Sequence, residues 1–590
     1  MDRNQAVGLV LIIAILLGYF TFFAPKPTPP AEKQNQTTTT AAKPNLLADS
    51  AAQSAGLDSG VATFSPELIK LENEDLELTI STLGGRLEAA RLKKYKTYHG
   101  NALEVLSAKT SQMRWQLGPL KLDQLRFKAA LAGRKLTLTS DGTPSAVLTY
   151  ALDDKGYLVK TQAQLVGQPL EKAHLTWSQD LLNTEKDFAQ SRQVATTNYL
   201  TVDKQFNHLS ETSTDAQDEK IEEPVRWITH KTKFFSAGII NRGAGFTQVA
   251  LGSKLDVADT VVLKSQLSAL HWQSADLKGG AAAADLYLGP NDYKLLGKIA
   301  PDFEKNVYLG WPIIRWVNKY IVVNVFHWLQ GAISNYGIII VLLVLFIRLL
   351  LLPLGYRSYL SMAKMRVLKP ELDEIKAKHG DDMTAVQQEQ MKLYQQVGIN
   401  PLSGCIPLLL QMPILLAMFN FFPNSIELRQ EQLWWAEDLS AWDSVASLPF
   451  ALPGYGSHVS LFTILMTIST LGVTYINSAS SSVTGPMATL QYVMPVVFMF
   501  ILNSLPAGLS FYYLVSNVVS IGQQFIIKAT VNDASIRAKL EENKTKNATK
   551  KPGKFASRLQ EALRQAEEMR KAQDVEKQLK QRPDGGKKGK

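Results

Sequence analysis

One arginine stands inside an otherwise oily segment. Residues Tyr336 to Leu354 read YGIIIVLLVLFIRLLLLPL, long enough to cross a bilayer core of about 30 Å as a helix. No other apolar run of the chain contains an Asp or Glu that could pair with Arg348. An unpaired guanidinium in such a helix costs at least about 2.5 kcal/mol on insertion scales, so it usually faces water, a cavity or a substrate. The expected chemistry is a wet, positive spot held below the membrane surface. The alternative is that Arg348 only snorkels to the headgroups, because Pro353 and Arg357 mark that end of the run roughly 13 Å away at 1.5 Å per residue.

Uncharged polarity accompanies it. Gln411, Thr463, Thr467, Ser469, Thr470, Thr474, Asn503, Ser510, Ser516, Asn517 and Ser520 lie within or at the ends of apolar runs. Each alone reads as a group bonded to its own helix or a neighbour. Together with Arg348 they could line one hydrophilic concavity, with Pro407, Pro413, Pro495 and Pro506 bending the helices around it. Enzyme chemistry has no visible seat. The spans hold no second ionisable group for a proton relay. There is no G-x-x-x-x-G-K-[ST], G-x-S-x-G or H-E-x-x-H. The single cysteine, Cys405, rules out a disulfide framework and a thiolate metal cluster. Neither a cofactor nor a metal is expected.

These residues need helices to position them. The 590-residue chain is 46% apolar with a formal charge of +10, enough for a soluble domain plus a membrane domain. Ala6–Phe23 reads as a signal anchor rather than a cleaved signal peptide, because the run is long and Ala24-Pro25 offers no good cleavage site. Residues 1–23 are therefore an anchor helix. Further spans are expected over 336–356, 405–422, 459–476, 492–505 and 508–527, the last two separated by Leu505-Pro506-Ala507-Gly508. The fold class is an α-helical bundle of six transmembrane helices. Basic residues crowd 357–400 and the tail 529–590, whereas 423–458 holds one arginine, Arg429, among several acids. Both basic segments and both termini are thus expected in the cytoplasm. Trp434, Trp435 and Trp442 fit an aromatic belt on the other side.

Between the first two spans the pattern changes three times. Residues 24–60 are Pro, Thr, Gln and Ala rich, a disordered tether. Over 61–290, Leu76, Leu78 and Ile80 alternate with polar residues, and turns such as Ser140-Asp141-Gly142 separate short strands. That pattern predicts an antiparallel β-sandwich. Over 291–335, Ile313, Ile314, Trp316, Val317, Tyr320, Ile321 and Phe326 make an apolar face broken by Arg315, Asn318 and Lys319, either a helix lying in the membrane interface or a core helix of the β domain. Residues 357–400 read as a helical hairpin with arms Leu360–Lys378 and Met383–Val397. Its stripe of Met362, Met365, Leu368, Leu372 and Ile375 is either core between the arms or an exposed edge that touches incoming apolar chains.

Several stretches are specific. NPLSGCIPLLLQMP (400–413), MAKMRVLKPEL (362–372) followed by HGDD, and PAGLSFYYLVSN (506–517) resemble the YidC/Oxa/Alb family of membrane protein insertases. ELTISTLGGRLEAARL (77–92) and DLYLGPNDY (285–293) resemble the two ends of the large periplasmic domain of its Gram-negative members. Ser403 stands where a second glycine is common, the loop 478–491 is uncharged, and the tail is long. The resemblance implies a non-enzymatic protein of the cell inner membrane with a five-helix core around a groove open to cytoplasm and lipid. It would insert nascent membrane proteins alone or beside the Sec translocon and help them fold. Arg348, Gln411, Thr467, Thr470, Asn503, Ser516 and Ser520 would line the groove, Tyr512 and Tyr513 match the face that contacts substrate, and the hairpin with Met362, Met365 and Met383 would receive it first.

No fuel is needed for such a step. Each Leu or Ile of an apolar segment gains a few tenths of a kcal/mol on insertion, and the obstacle is the polar flank, whose unsatisfied backbone groups cost several kcal/mol each in hydrocarbon. A wet groove shortens that dry path. The tail lysines Lys544, Lys546, Lys550, Lys551 and Lys554 would hold anionic lipid at about 1 kcal/mol per charge or contact ribosomal RNA. The competing class is a secondary transporter or lipid scramblase using the same cavity. Against it, the membrane half shows neither an inverted repeat nor paired ionisable groups.

Overall fold

The computed structural model describes residues 66–380, 383–399, 406–452, 454–478 and 486–547. The expected anchor 1–23, the tether 24–60 and the tail lysines Lys550, Lys551 and Lys554 lie outside the described residues.

Strict alternation builds the first part. Ser111–Leu117 and Ala173–Leu182 bury every second side chain, as strands with one face on a core do. Nineteen strands between Leu68 and Pro290 pair antiparallel, four in a small sheet and fifteen in a long one. The long sheet curls until strands three places apart face each other: Trp177 stacks on His230 at 3.8 Å. The layers enclose Trp115, Trp227, Phe246 and Trp272. The expected β-sandwich is present.

Helix α1 (Phe188–Val194) interrupts the strands and α2 (Tyr293–Ile299) follows them. Then α3 (Pro312–Val317), a π turn over Asn318–Val322 and α4 (Val323–Gln330) form a segment apolar on two sides. Ile314, Val317, Val322, Phe326 and Leu329 are buried, whereas Trp311, Ile313, Trp316, Tyr320 and Trp328 are exposed. Asn318, fully buried, donates from Nδ2 to Leu309 O and Ala417 O at 3.0 Å each.

The remaining helices are α5 (Tyr336–Val367), α6 (Lys369–His379), α7 (Met383–Val397), α8 (Ile406–Asn424), α9 (Leu461–Ser478), α10 (Pro486–Leu502), α11 (Ala507–Thr530) and α12 (Asp533–Asn547). Among the described residues α5 and α9 are long and apolar enough to cross a membrane, and α11 with α12, bent by 68°, makes a third. That is fewer than the six expected. Leu345, Phe346 and Leu349 on α5, Phe498 and Phe500 on α10, and Val518, Phe525 and Ile526 on α11 are exposed apolar side chains.

Three boundaries differ from expectation by more than three residues, one of them the start of α10, at Pro486 where 492 was expected. The span expected to end at residue 356 continues as one helix through Pro353 to Val367. Proline withholds one backbone hydrogen bond, which membrane helices tolerate. The hairpin arm expected from Leu360 therefore begins only at Lys369, where Pro370 in the first turn has no orphan N–H to satisfy.

Candidate functional site

Arg348 lies twelve residues into α5, roughly 18 Å from its start. Its Nη2 donates to Ser516 Oγ on α11 at 2.6 Å. No carboxylate among the described residues comes within 4.0 Å of it. Further along, Arg366 Nη2 bonds Asp533 at 2.8 and 3.1 Å, and Arg537 Nη2 bonds Glu371 Oε1 at 3.2 Å. The sequence separations of these pairs are 168, 167 and 166. A nearly constant separation means that α5–α6 and α11–α12 run parallel, side by side.

The other flank of α11 is parallel too. Thr463 Oγ1 meets Ser510 Oγ at 3.2 Å, Asn517 Nδ2 donates to Thr470 Oγ1 at 2.8 Å, and Gln524 Nε2 donates to Asn477 Oδ1 at 3.0 Å. All three pairs are 47 residues apart, and their members recur every seventh position. A seven-residue repeat keeps one stripe of each helix on its partner, and interhelical hydrogen bonds of this kind hold helices together in lipid. At about 100° per residue, Ser516 and Asn517 diverge toward α5 and α9, and Ser520 lies between them.

The end of α11 nearest the sandwich is packed against α8. Tyr512 and Phe422 rings lie 5.5 Å apart, Tyr513 and Phe419 5.6 Å, and Tyr513 Oη donates to Leu415 O at 3.2 Å. Both tyrosines thus spend their contacts on α8. This antiparallel register brings Gln411, one turn from Leu415 and half-buried, to the level of Ser516 and Ser520. Thr467 and Thr470 donate to Thr463 O and Met466 O at 2.8 Å each, and Ser520 to Ser516 O at 2.7 Å. These hydroxyls satisfy their own helix, yet Thr470 also accepts from Asn517.

Asn503 does not join this group. It is fully buried, its Nδ2 donating to Tyr455 O and His458 O at 2.8 Å and its Oδ1 accepting from Ser460 N at 3.0 Å. An amide with every site spent on a loop is structural there, which corrects its expected place in the lining. Beside it stands Asp443, 2% exposed. Its carboxylate accepts from Leu461 N at 2.9 Å, Phe462 N at 3.1 Å, Trp435 Nε1 at 2.8 Å and the Ser460 hydroxyl, capping α9.

The same loop grips the sandwich. Arg429 and Glu185, 2% and 8% exposed, pair at 2.8 Å, and Arg429 Nη2 donates to Lys96 O at 2.6 Å. Lys233 Nζ donates to Ser440 O at 3.2 Å. Burial pushes the Lys233 ammonium below the usual lysine range, opposed by Glu185 and Asp187. Gly337 has a close neighbour here: a Cβ on it would lie 2.5 Å from Leu433.

At the far end Tyr359, Leu368, Leu372, Leu393, Tyr394 and Val397 pack with Ile527, Ile536 and Leu540. Met365 is packed against that cluster and Met362 is half-buried, so the stripe contributes to a core shared with α12. The side chain of Met383 is outside the described residues, as is that of Lys546; Lys544 is exposed on α12. The sequence pattern did not point to Asn477, Gln524, Asp443 or Glu185, and Arg429 entered it only as a topology marker. For the first two a signal existed, the seven-residue spacing from Thr470 and Asn517.

Residues 68–323 match the family model described as the YidC periplasmic domain, and residues 328–534 the one described as 60Kd inner membrane protein. A "Membrane protein insertase YidC" from Amoebophilus asiaticus is 40% identical over 96% of this chain and 98% of its own, and one from Cytophaga hutchinsonii is 41% identical over the same shares. The chain belongs to the YidC family. A solved structure, "Active YidC insertase crystal structure with the first transmembrane domain resolved", aligns over 78% of this chain and 92% of its own, at 18% identity and a TM-score of 0.33. YidC relatives are inner membrane proteins with a periplasmic domain, so the sandwich is that domain.

Proposed function

We propose that this chain inserts membrane proteins into the inner membrane, with no enzymatic step. The observation that carries the reading is Arg348, bonded to Ser516 with no carboxylate within 4.0 Å among the described residues, twelve residues into a helix that exposes Leu345, Phe346 and Leu349. A polar flank entering between α5 and α9 would exchange part of its hydration for Arg348, Ser516, Ser520 and Gln411, while its apolar segment leaves sideways into lipid. With the sandwich periplasmic, α6, α7 and α12 lie on the cytoplasmic side, and Met362, Met365 and Met383 offer the first contact. Both termini are then cytoplasmic and the helices cross six times. Help from the Sec translocon, and ribosome or anionic-lipid contact through Lys544, Lys546, Lys550, Lys551 and Lys554, extend the same reading.

Purified protein in liposomes, challenged with a nascent single-span substrate and scored by protease protection, tests it. Protected substrate above the level of empty liposomes is expected. Equal protection with and without the protein overturns the reading.

A further inference from the structure

A cavity of about 530 Å³ opens where the sandwich meets the α3 segment. Volumes of this size hold small ligands. Its lining is charged, and the charges nearly cancel in pairs. Lys305 Nζ lies 3.2 Å from Asp302, Lys231 Nζ 3.5 Å from Glu211, and Lys319 Nζ 4.0 Å from Glu304. Arg315 is left over: among the described residues it has no acidic partner. A guanidinium presents a planar fork of donors that fits a phosphate with two parallel bonds. Burial holds the Lys231 ammonium below the usual lysine range, with only Glu211 opposing the cost, so a second anion near it is favourable.

The helix that carries Arg315 tells which anion. Arg315 and Lys319 are four residues apart and line the cavity. Between and beside them Ile313, Trp316 and Tyr320 are 71%, 57% and 57% exposed, with Trp311 at 69%. Trp and Tyr ring a membrane at headgroup level. One short helix therefore offers a cation to the cavity and, beside it, an exposed apolar face of the kind that acyl chains cover. A free phosphate has no use for the second face.

We infer that this cavity binds the phosphate of a phospholipid from the periplasmic leaflet, held by Arg315 and Lys319, with the acyl chains lying along Ile313 and Trp316. The inference rests on the reading of α3 as interfacial, and the experiment separates the two.

The full chain in nanodiscs containing phosphatidylglycerol, phosphatidylethanolamine and diacylglycerol is released into detergent, and retained lipid is measured by native mass spectrometry. Arg315→Gln with Lys319→Gln should lower retention of both phospholipids about tenfold and leave diacylglycerol unchanged. Trp316→Ala should lower all three lipids together, and no effect of it would sink the interfacial reading alone. Phospholipid retention unchanged by the double substitution overturns the phosphate site. So does displacement of lipid by inorganic phosphate, which would mark a free-anion site. Lys254→Gln, exposed on the sandwich, should behave as the parent.

Discussion

The membrane helices and the loop between α8 and α9 hold two polar clusters, and the residues in them are of similar kinds. At the periplasmic end Asp443, Ser460, Thr463, Ser510, Asn503 and Arg429 are buried and bonded to protein. Midway along, Arg348 has one hydroxyl partner and Ser516 and Ser520 are spaced along an incompletely covered face. Buried polar groups cost free energy unless paired. Saturation at one end closes the protein, and at the other the guanidinium N–H groups of Arg348 that Ser516 does not engage have capacity for a visitor.

The difference can be broken from the saturated side first. Glu185→Ala strands the Arg429 guanidinium in a buried site, and loss of one partner of such a pair costs about 3–5 kcal/mol; detergent thermal melts should fall sharply. Glu185→Leu with Arg429→Met should recover most of that, and a double variant as unstable as the single would sink the explanation. Next, Asp443→Ala leaves two N-terminal amides of α9 and the Trp435 indole without an acceptor. About 2–3 kcal/mol is expected from the lost cap and stranded donors, read as lowered melting and faster amide exchange at Leu461 and Phe462. Asn517→Leu removes one rung between α9 and α11 and should cost about 0.6–1.7 kcal/mol, the range of such bonds in membranes. The smallest change in stability belongs to Arg348→Ala, where loss of the bond to Ser516 is offset by removing a costly guanidinium from an apolar run. There insertion should slow most for substrates with acidic translocated segments; normal insertion of such a substrate in proteoliposomes would erase the contrast.

Much of this was legible in the chain. Arg348 announced itself because a charge in an oily run has few explanations. Period-two alternation gave strands such as Leu76–Ser81, and the arm Met383–Val397 appeared with the expected bounds. Asn503 was misjudged because the sequence tells that an amide is near a helix end, but not that a hairpin 45 residues earlier consumes it. Asp443 was invisible for the same reason: it caps a helix starting 18 residues later. Partners that close over long loops leave no local pattern. The α5 boundary failed differently, since proline breaks helices in water more reliably than between lipid and neighbouring helices.

The rungs between α9 and α11 have a mechanical corollary. Three bonds at one fixed offset resist sliding of α9 along α11 by anything short of two full turns. Among the described residues the Arg348–Ser516 bond is the polar link between α5 and α11 at that depth, beside the apolar packing of the same helices, and a passenger's own carbonyl or carboxylate can replace its acceptor. Separating α11 from α9 would break three polar rungs, whereas separating it from α5 at that depth would break one.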